Sequence, residues 1–116
     1  MKVICIIGSD PRSLINFRGE LIKSFVATGA KVYALASTAS DIKKSEVEAL
    51  GVTFVDMPLA RTSANPFKDL ETYRFLKQFF LKVKPDIVLA YTIKPVIWSG
   101  IALKTLPDTR FYALIT

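Results

Sequence analysis

Five short apolar runs, separated by longer stretches of helical periodicity, are the feature that most limits how this chain can fold. Ile, Val, Leu and Phe fill these runs with little polar alternation, which is typical of strands buried on both faces of a parallel sheet. Strand, helix and strand repeated in this way predict an α/β domain with a doubly wound parallel sheet. The predicted strands are residues 3–7, 32–35, 52–55, 87–90 and 111–115.

The segments between these runs carry signals of helix starts and stops. The first segment has Ser13 as a candidate cap and Gly29 as a candidate stop, with Leu or Phe recurring every three or four residues between them. A weaker helical segment, 41–50, ends at Gly51 in the same way.

The longest helical pattern begins at Pro66 and is ended by Pro85. A last helix, mostly buried, is predicted from Pro95 to Leu103, with Trp98 on its buried face. The stripe of the longest helix that is predicted to face the core comprises Phe67, Leu70, Tyr73, Leu76, Phe80 and Val83.

Composition excludes several classes of enzyme. The 116 residues, of which 51% are hydrophobic, suffice for one domain that buries about two thirds of its unfolded surface. The chain has no histidine, so it lacks the usual metal ligand, the usual general base and any Ser-His or Cys-His nucleophile pair. A single cysteine, Cys5, excludes a disulfide framework and is predicted to be a buried core thiol.

The apolar runs are too short for a membrane span or a secretory signal. Uncharged stretches such as 3–9, 32–40 and 95–103 fall well short of the roughly 18 apolar residues that a spanning helix needs. Asp10 closes the first run without a small-residue cleavage site. We therefore predict a cytoplasmic protein.

Cations at helix starts point to a ligand site at the carboxyl edge of the predicted sheet, where ligands of open α/β sheets gather. Arg12 and Arg18 lie at the start of the first helix, Arg61 and Lys68 bracket the start of the third, and Lys94 precedes the last. Positive charge there opposes the helix dipole unless an anion is also bound. Long side chains extended into water explain any one of these cations, whereas the set favours a phosphate-bearing ligand.

Three phosphate-binding classes can be tested on the residues that follow the strands. A dinucleotide fingerprint needs three glycines after the first strand and an acid at the end of the second. This chain has only Gly8 after the first strand and no acid at the end of the second, which argues against a dehydrogenase. Gly8 is not followed by Gly-Lys-Ser/Thr, which argues against a P-loop kinase or ATPase. A signalling receiver domain would use Asp56, but it needs an acidic pair where Asp10 stands alone and a lysine that 111–116 lacks.

Several motifs then occur in one order along the chain. A Phe-x-Arg motif lies within 13–19, an Arg-Thr-Ser-x-Asn-Pro motif lies within 59–67, and Tyr-Thr-Ile-Lys-Pro fills 91–95. Together with Leu-Gly-Val at 50–52 and Pro-Asp-Ile-Val at 85–88, they resemble the amino-terminal lobe of bacterial family 4 glycosyltransferases over the whole chain. The resemblance implies a Rossmann-like lobe of the two-lobed GT-B fold.

Enzymes of this kind transfer a hexosyl or hexosaminyl group from a nucleotide diphosphate sugar, with retention at the anomeric carbon and generally without a metal or other cofactor. The resemblance implies that residues 1–116 form the acceptor-side lobe. The acceptor would be a glycan linked to polyprenyl diphosphate or a polysaccharide, in cell-envelope or capsular polysaccharide biosynthesis. The nucleotide-holding carboxyl-terminal lobe would be missing, so we expect a chain truncated after residue 116 and inactive by itself.

The resemblance also assigns roles to individual residues. Arg18 and Lys94 would be catalytic, Arg18 pairing with phosphate oxygens and Lys94 stabilising charge on the leaving diphosphate. Gly8 would let the backbone approach the donor diphosphate, and Arg61 with Thr62 would reach the acceptor. Many relatives place a histidine after the fourth strand, which this chain lacks. The implied substrate-binding set is Gly8, Ser9, Asp10, Asn16, Arg61, Thr62, Tyr91 and Thr92.

Net charge leaves the question of a membrane partner open. The formal charge of +6, with Lys77, Lys82 and Lys84 off the apolar stripe, suits peripheral contact with an anionic inner membrane face. Solvated helix faces explain the same lysines equally well. Nucleic acid is disfavoured, because the basic residues are not interleaved with exposed aromatic residues.

The alternative to an enzyme lobe is a non-catalytic binding or membrane-docking subunit that pairs with a separate donor lobe. A coding sequence that continues past Thr116 into a lobe with paired glutamates favours the enzyme, and an immediate stop favours the subunit.

Overall fold

The predicted doubly wound parallel α/β fold is confirmed. The computed structural model describes residues 2–8, 19–36, 48–49, 51–57 and 66–114. Within these residues the strands form one parallel sheet of five, ordered third, second, first, fourth and fifth. They are β1 (Val3–Ile7), β2 (Lys31–Ala36), β3 (Thr53–Asp56), β4 (Ile87–Tyr91) and β5 (Arg110–Leu114).

Helices cover both faces of the sheet. The described helices are α1 (Gly19–Ala27), α2 (Pro66–Val83) and α3 (Ile93–Ala102), and α3 continues into a short 3₁₀ turn. α1 packs on one face, and α2 and α3 pack together on the other. A single handedness of crossover requires this division, because the chain adds β2 and β3 in one direction and β4 and β5 in the other.

Alternate residues of the central strand enter two separate cores. Ile4 and Ile6 of β1 face α1, whereas Cys5 and Ile7 face α2 and α3. The expectation of strands buried on both faces therefore holds at the centre of the sheet. It is wrong for β5, where Phe111 packs on the α2 and α3 side but Tyr112 is exposed on the other. A strand at the sheet margin has only one neighbouring strand and less cover.

The predicted helix stops are confirmed where the structure describes them. α1 is followed by Gly29 at φ 86°, a left-handed conformation that costs glycine little. α2 ends before Pro85: the N–H of Lys84 donates the last helical bond, to the Phe80 carbonyl at 2.8 Å, and the φ of 51° at Lys84 then turns the chain out of the helix. The cap at Ser13 and nearly all of the segment 41–50 lie outside the described residues.

The predicted buried stripe of α2 is wrong at its amino-terminal end. Phe67 is 83% exposed and Leu70 is 45% exposed, whereas Thr72, Leu76 and Phe80 are fully buried. Steps of three residues fall about 60° short of a full turn, so a stripe that begins at Phe67 has rotated by about 180° when it reaches Leu76. Thr72 joins the core because its hydroxyl donates to the Lys68 carbonyl at 3.0 Å, which satisfies the buried oxygen.

The prediction that the last helix is mostly buried is also wrong. α3 begins at Ile93, which places Pro95 in the first turn as predicted, and its buried positions are Pro95, Ser99 and Ala102. Trp98 is only partly buried, with its ring centroid 6.5 Å from that of Tyr73 in α2. The opposite face of α3 is open to solvent. None of the helices in the described ranges is long and apolar enough to span a membrane.

Candidate functional site

The order of strand addition reverses between β1 and β4, which are neighbours in the sheet. The crevice beyond the carboxyl ends of two such strands is where open α/β sheets bind ligands. Gly8 follows β1, while Tyr91 ends β4 and Thr92 and Lys94 come next. The structure therefore brings these four residues of the predicted site to one edge.

Tyr91 fills the space beside Gly8. A Cβ atom on Gly8 would lie 2.5 Å from Cζ of Tyr91 and even closer to its hydroxyl oxygen. The N–H of Gly8 donates to the Leu35 carbonyl at 3.0 Å, which continues the backbone pairing beyond β1. Tyr91 is 2% exposed and belongs to the core on the α1 side. Glycine at position 8 is thus required by protein packing, independently of any diphosphate.

Thr92 is strained at the junction between β4 and α3. Its φ of 67° and ψ of 161° fall in a region that is essentially restricted to glycine. The Thr92 carbonyl accepts the first helical hydrogen bond, from the N–H of Val96 at 3.2 Å. The strained residue turns the chain directly from strand into helix, and strain of about 1–3 kcal/mol is characteristic of functional sites.

Lys94 forms an ion pair that the sequence did not indicate. Its Nζ lies 3.0 Å from Oδ1 of Asp69, and the two side chains are 24% and 22% exposed. Asp69 is in the first turn of α2 and Lys94 is in the first turn of α3. The positive end of the α2 dipole also stabilises the Asp69 carboxylate. Asp69 therefore balances the charge of Lys94 in the way that the sequence analysis expected of an anionic ligand.

The other described cation at a helix start has a local partner as well. Nζ of Lys68 lies 3.6 Å from Oε2 of Glu71, one turn further along α2, and both side chains are well exposed. Neither Lys68 nor Lys94 therefore needs an anionic ligand to balance its charge.

Most of the predicted site falls outside the residues that the structure describes. The arginines concerned are Arg12, Arg18 and Arg61. The polar residues concerned are Ser9, Asp10, Asn16 and Thr62. Their roles stay predictions.

The structure argues against a reactive Cys5 thiol and against a receiver domain. Burial raises the pKa of the Cys5 thiol from 9.0 to about 12, so the thiol stays neutral at physiological pH and is a core residue as predicted. Receiver domains have the strand order 2-1-3-4-5, in which the third strand neighbours the first. Here β2 separates β3 from β1, so Asp56 stands away from the β1 edge and a receiver is excluded.

The fold and this edge together define a Rossmann-like α/β domain with a candidate ligand crevice between β1 and β4. The sequence model of a family described as glycosyl transferase 4-like matches residues 4–112, and the chain belongs to that family. Comparison with curated proteins gives no match. Family membership favours an enzyme lobe over the non-catalytic subunit.

Solved structures of longer proteins contain the same fold. A glycosyltransferase from Rickettsia africae has a TM-score of 0.68 at 16% identity, over 97% of this chain and 29% of that one. MurG from Acinetobacter baumannii has a TM-score of 0.69 at 17% identity, over 99% of this chain and 33% of that one. The chain thus spans about a third of the length of either protein.

The fold alone does not specify this chemistry. The C-terminal domain of the PF1911 hydrogenase from Pyrococcus furiosus has a TM-score of 0.68 at 14% identity, over 97% of this chain and 91% of that one. At such identities structural likeness shows only the Rossmann-like fold, which GT-B glycosyltransferases share with other proteins. The family match, and not the fold, separates this chain from other proteins of that fold.

Proposed function

We propose that this chain is the amino-terminal, acceptor-side lobe of a glycosyltransferase. The complete protein would transfer a sugar from a nucleotide diphosphate sugar to a lipid-linked or polysaccharide acceptor, with retention at the anomeric carbon. The observation that most supports this is the glycosyl transferase 4-like match over residues 4–112. The same chain places Lys94 and the strained backbone of Thr92 at the β1–β4 crevice.

Lys94 is proposed to act electrostatically. In the transfer, the bond between the anomeric carbon and the diphosphate oxygen breaks, the acceptor oxygen bonds to that carbon, and the acceptor proton passes to the departing phosphate. Negative charge accumulates on the diphosphate as this happens, and a fixed ammonium group at a helix start stabilises it. No enzymic base is needed, which suits a chain without histidine.

Asp69 is compatible with this role. A lysine ammonium carries three donor hydrogens, so contact with a carboxylate and contact with a phosphate oxygen are compatible. The Asp69 carboxylate, 3.0 Å away, would fix the ammonium position before the donor binds. Such preorganisation lowers the cost of stabilising charge in the transition state.

The remaining partners follow from the same proposal. Arg18 and Arg61 would contact phosphate oxygens of donor and acceptor, and a carboxyl-terminal lobe would hold the nucleotide. Tyr91, packed against Gly8, would shape the floor between the two substrates.

The experiment is a transfer assay with the complete protein. Nucleotide diphosphate sugars are offered singly with polyprenyl-diphosphate-linked glycans, and the configuration of the new linkage is read by nuclear magnetic resonance. We expect one donor to give a product with the anomeric configuration of the donor. An inverted product would contradict retention, and absence of transfer with every donor and acceptor would contradict the proposed function.

A further inference from the structure

The outer face of α3 is apolar and open to solvent. Ile93, Ile97 and Ile101 recur every four residues and are 77%, 47% and 38% exposed. The opposite face carries the buried Pro95, Ser99 and Ala102. Contiguous exposed apolar side chains mark a surface suited to contact with a partner. The isoleucine face is therefore a candidate contact surface.

The neighbouring face of α2 extends this surface. α2 and α3 are joined by the contact between Tyr73 and Trp98 and by the ion pair between Asp69 and Lys94. Leu70 and Leu81 are each 45% exposed and lie three helical turns apart, so both point outward from α2. We call Leu70, Leu81 and the three isoleucines the α2–α3 surface.

This part of the chain is strongly basic. Residues 66–105 contain seven Lys or Arg and three Asp or Glu, a net charge of +4 out of +6 for the whole chain. Two of the three acids, Asp69 and Glu71, are within 4 Å of lysine ammonium groups. These two ion pairs cancel within the sum, so the excess of +4 comes from the other charged residues of this segment.

Cations share the outer side of α2 and follow the isoleucines of α3 in the sequence. Arg74 and Lys77 are four and seven residues after Leu70 and share its side of α2. Nζ of Lys77 lies 5.9 Å from the ring centroid of Tyr73, the residue whose ring contacts Trp98 of α3. Lys104 is exposed three residues after Ile101. Apolar side chains bordered by Lys and Arg match the interface of an anionic bilayer.

We propose that the α2–α3 surface docks the protein onto a bilayer that contains anionic lipid. Ile93 and Ile97 enter the boundary between headgroups and acyl chains, while Arg74, Lys77 and Lys104 contact anionic headgroups. A second copy of the chain is a poorer occupant, because like charges would face each other across the interface. Lys82 lies about 140° around α2 from Lys77, so it is not on this surface.

Docking goes beyond the proposed function and places the bilayer beside the candidate site. Ile93, the most exposed of the three isoleucines, directly precedes Lys94 at the carboxyl edge. A protein docked in this way would meet a lipid-linked acceptor at the bilayer surface. Binding to vesicles needs no sugar nucleotide, so its failure is distinguishable from failure of transfer.

The test is sedimentation of the complete protein with phosphatidylcholine vesicles, with and without phosphatidylglycerol. We expect binding to the anionic vesicles only. The double variant Ile93→Ser/Ile97→Ser should lower the partition coefficient at least about tenfold. Replacement of Arg74, Lys77 and Lys104 by Gln should lower it about fivefold for each cation and lower it less at high salt.

Matched controls lie on α1, on the opposite face of the sheet. Leu21→Ser removes an apolar side chain that is 36% exposed, and Lys23→Gln removes an exposed cation; neither should change vesicle binding. The glutamine variants alter only polar side chains, so they keep the test valid if the serine pair unfolds. Wild-type binding that is absent, or that both sets of variants retain, would overturn the proposal. Sedimentation of the protein as a dimer that the serine pair dissociates would assign the surface to a second copy instead.

Discussion

Nζ of Lys94 lies 3.0 Å from Oδ1 of Asp69, and this ion pair joins the first turns of two helices at the ligand edge of the sheet. Both side chains are largely shielded from water, and each comes from a different strand-to-helix junction. The pair therefore has two consequences, one for the stability of the lobe and one for the position of the charge that the proposed reaction uses.

The consequence for stability can be measured by a double-mutant cycle. Asp69→Asn and Lys94→Gln, singly and together, should give a coupling of about 0.5–1 kcal/mol in the free energy of unfolding by urea. Glu71→Gln disrupts the more exposed pair with Lys68 and should cost no more than about 0.5 kcal/mol. Strictly additive effects of the Asp69 and Lys94 substitutions would show that the two charges do not interact.

Packing of Tyr91 over Gly8 predicts that even a methyl group is not tolerated there. Gly8→Ala should lower the free energy of unfolding by about 1–3 kcal/mol, because the new Cβ overlaps the Tyr91 ring. Gly100→Ala, within α3, is the matched control. Its Cβ would lie 3.4 Å from the Phe111 ring, an ordinary contact distance, and alanine is favoured over glycine in a helix by about 1 kcal/mol. Equal stability of the two variants in urea would contradict this packing.

The backbone of Thr92 predicts an unusual gain from glycine. Thr92→Gly should relieve strain of about 1–3 kcal/mol, offset by about 1 kcal/mol for the greater freedom of unfolded glycine. Thr92→Ala loses the same hydroxyl but keeps the strain, so the difference between the two variants reports the backbone. If chemical unfolding finds Thr92→Gly no more stable than Thr92→Ala, Thr92 is not strained.

Burial of Cys5 predicts a dependence of stability on alkaline pH. The folded pKa is raised from 9.0 to about 12, so the unfolded chain loses the thiol proton first. The stability linked to this group is present below about pH 9 and is lost as pH rises towards the folded value. The decline in unfolding free energy between pH 8 and about 10.5 should be shallower in Cys5→Ala than in the wild type. Parallel declines would contradict the raised pKa.

The parts of this molecule that follow local rules were predictable from sequence. The uninterrupted apolar run at 3–7 indicated a strand buried on both faces, and Pro66 and Pro85 bracketed α2. The receiver alternative, in contrast, was finally excluded by strand order, which depends on which strands pair and not on any local pattern.

The site was less predictable because its geometry depends on distant residues. Lys94 and Asp69 are 25 residues apart, and nothing in either segment signals their contact. The positive φ of Thr92 was also hidden, since threonine is not a residue that favours it. Residues spaced by three along α2 do not share one helical face, because each step falls about 60° short of a full turn, and Phe67 consequently lies on the solvent side.

Replacement of Lys94 in the complete protein tests whether this lysine stabilises the leaving diphosphate. Initial rates of sugar transfer should show kcat lowered about hundredfold or more in Lys94→Ala, because charge on the leaving diphosphate loses its fixed counter-ion, with KM for the donor changed little. Lys94→Arg should restore part of the rate, and Lys23→Ala, a cation on α1 away from the edge, should leave it unchanged. A Lys94→Ala protein that is folded and transfers at the wild-type rate would show that Lys94 does not act on the leaving group.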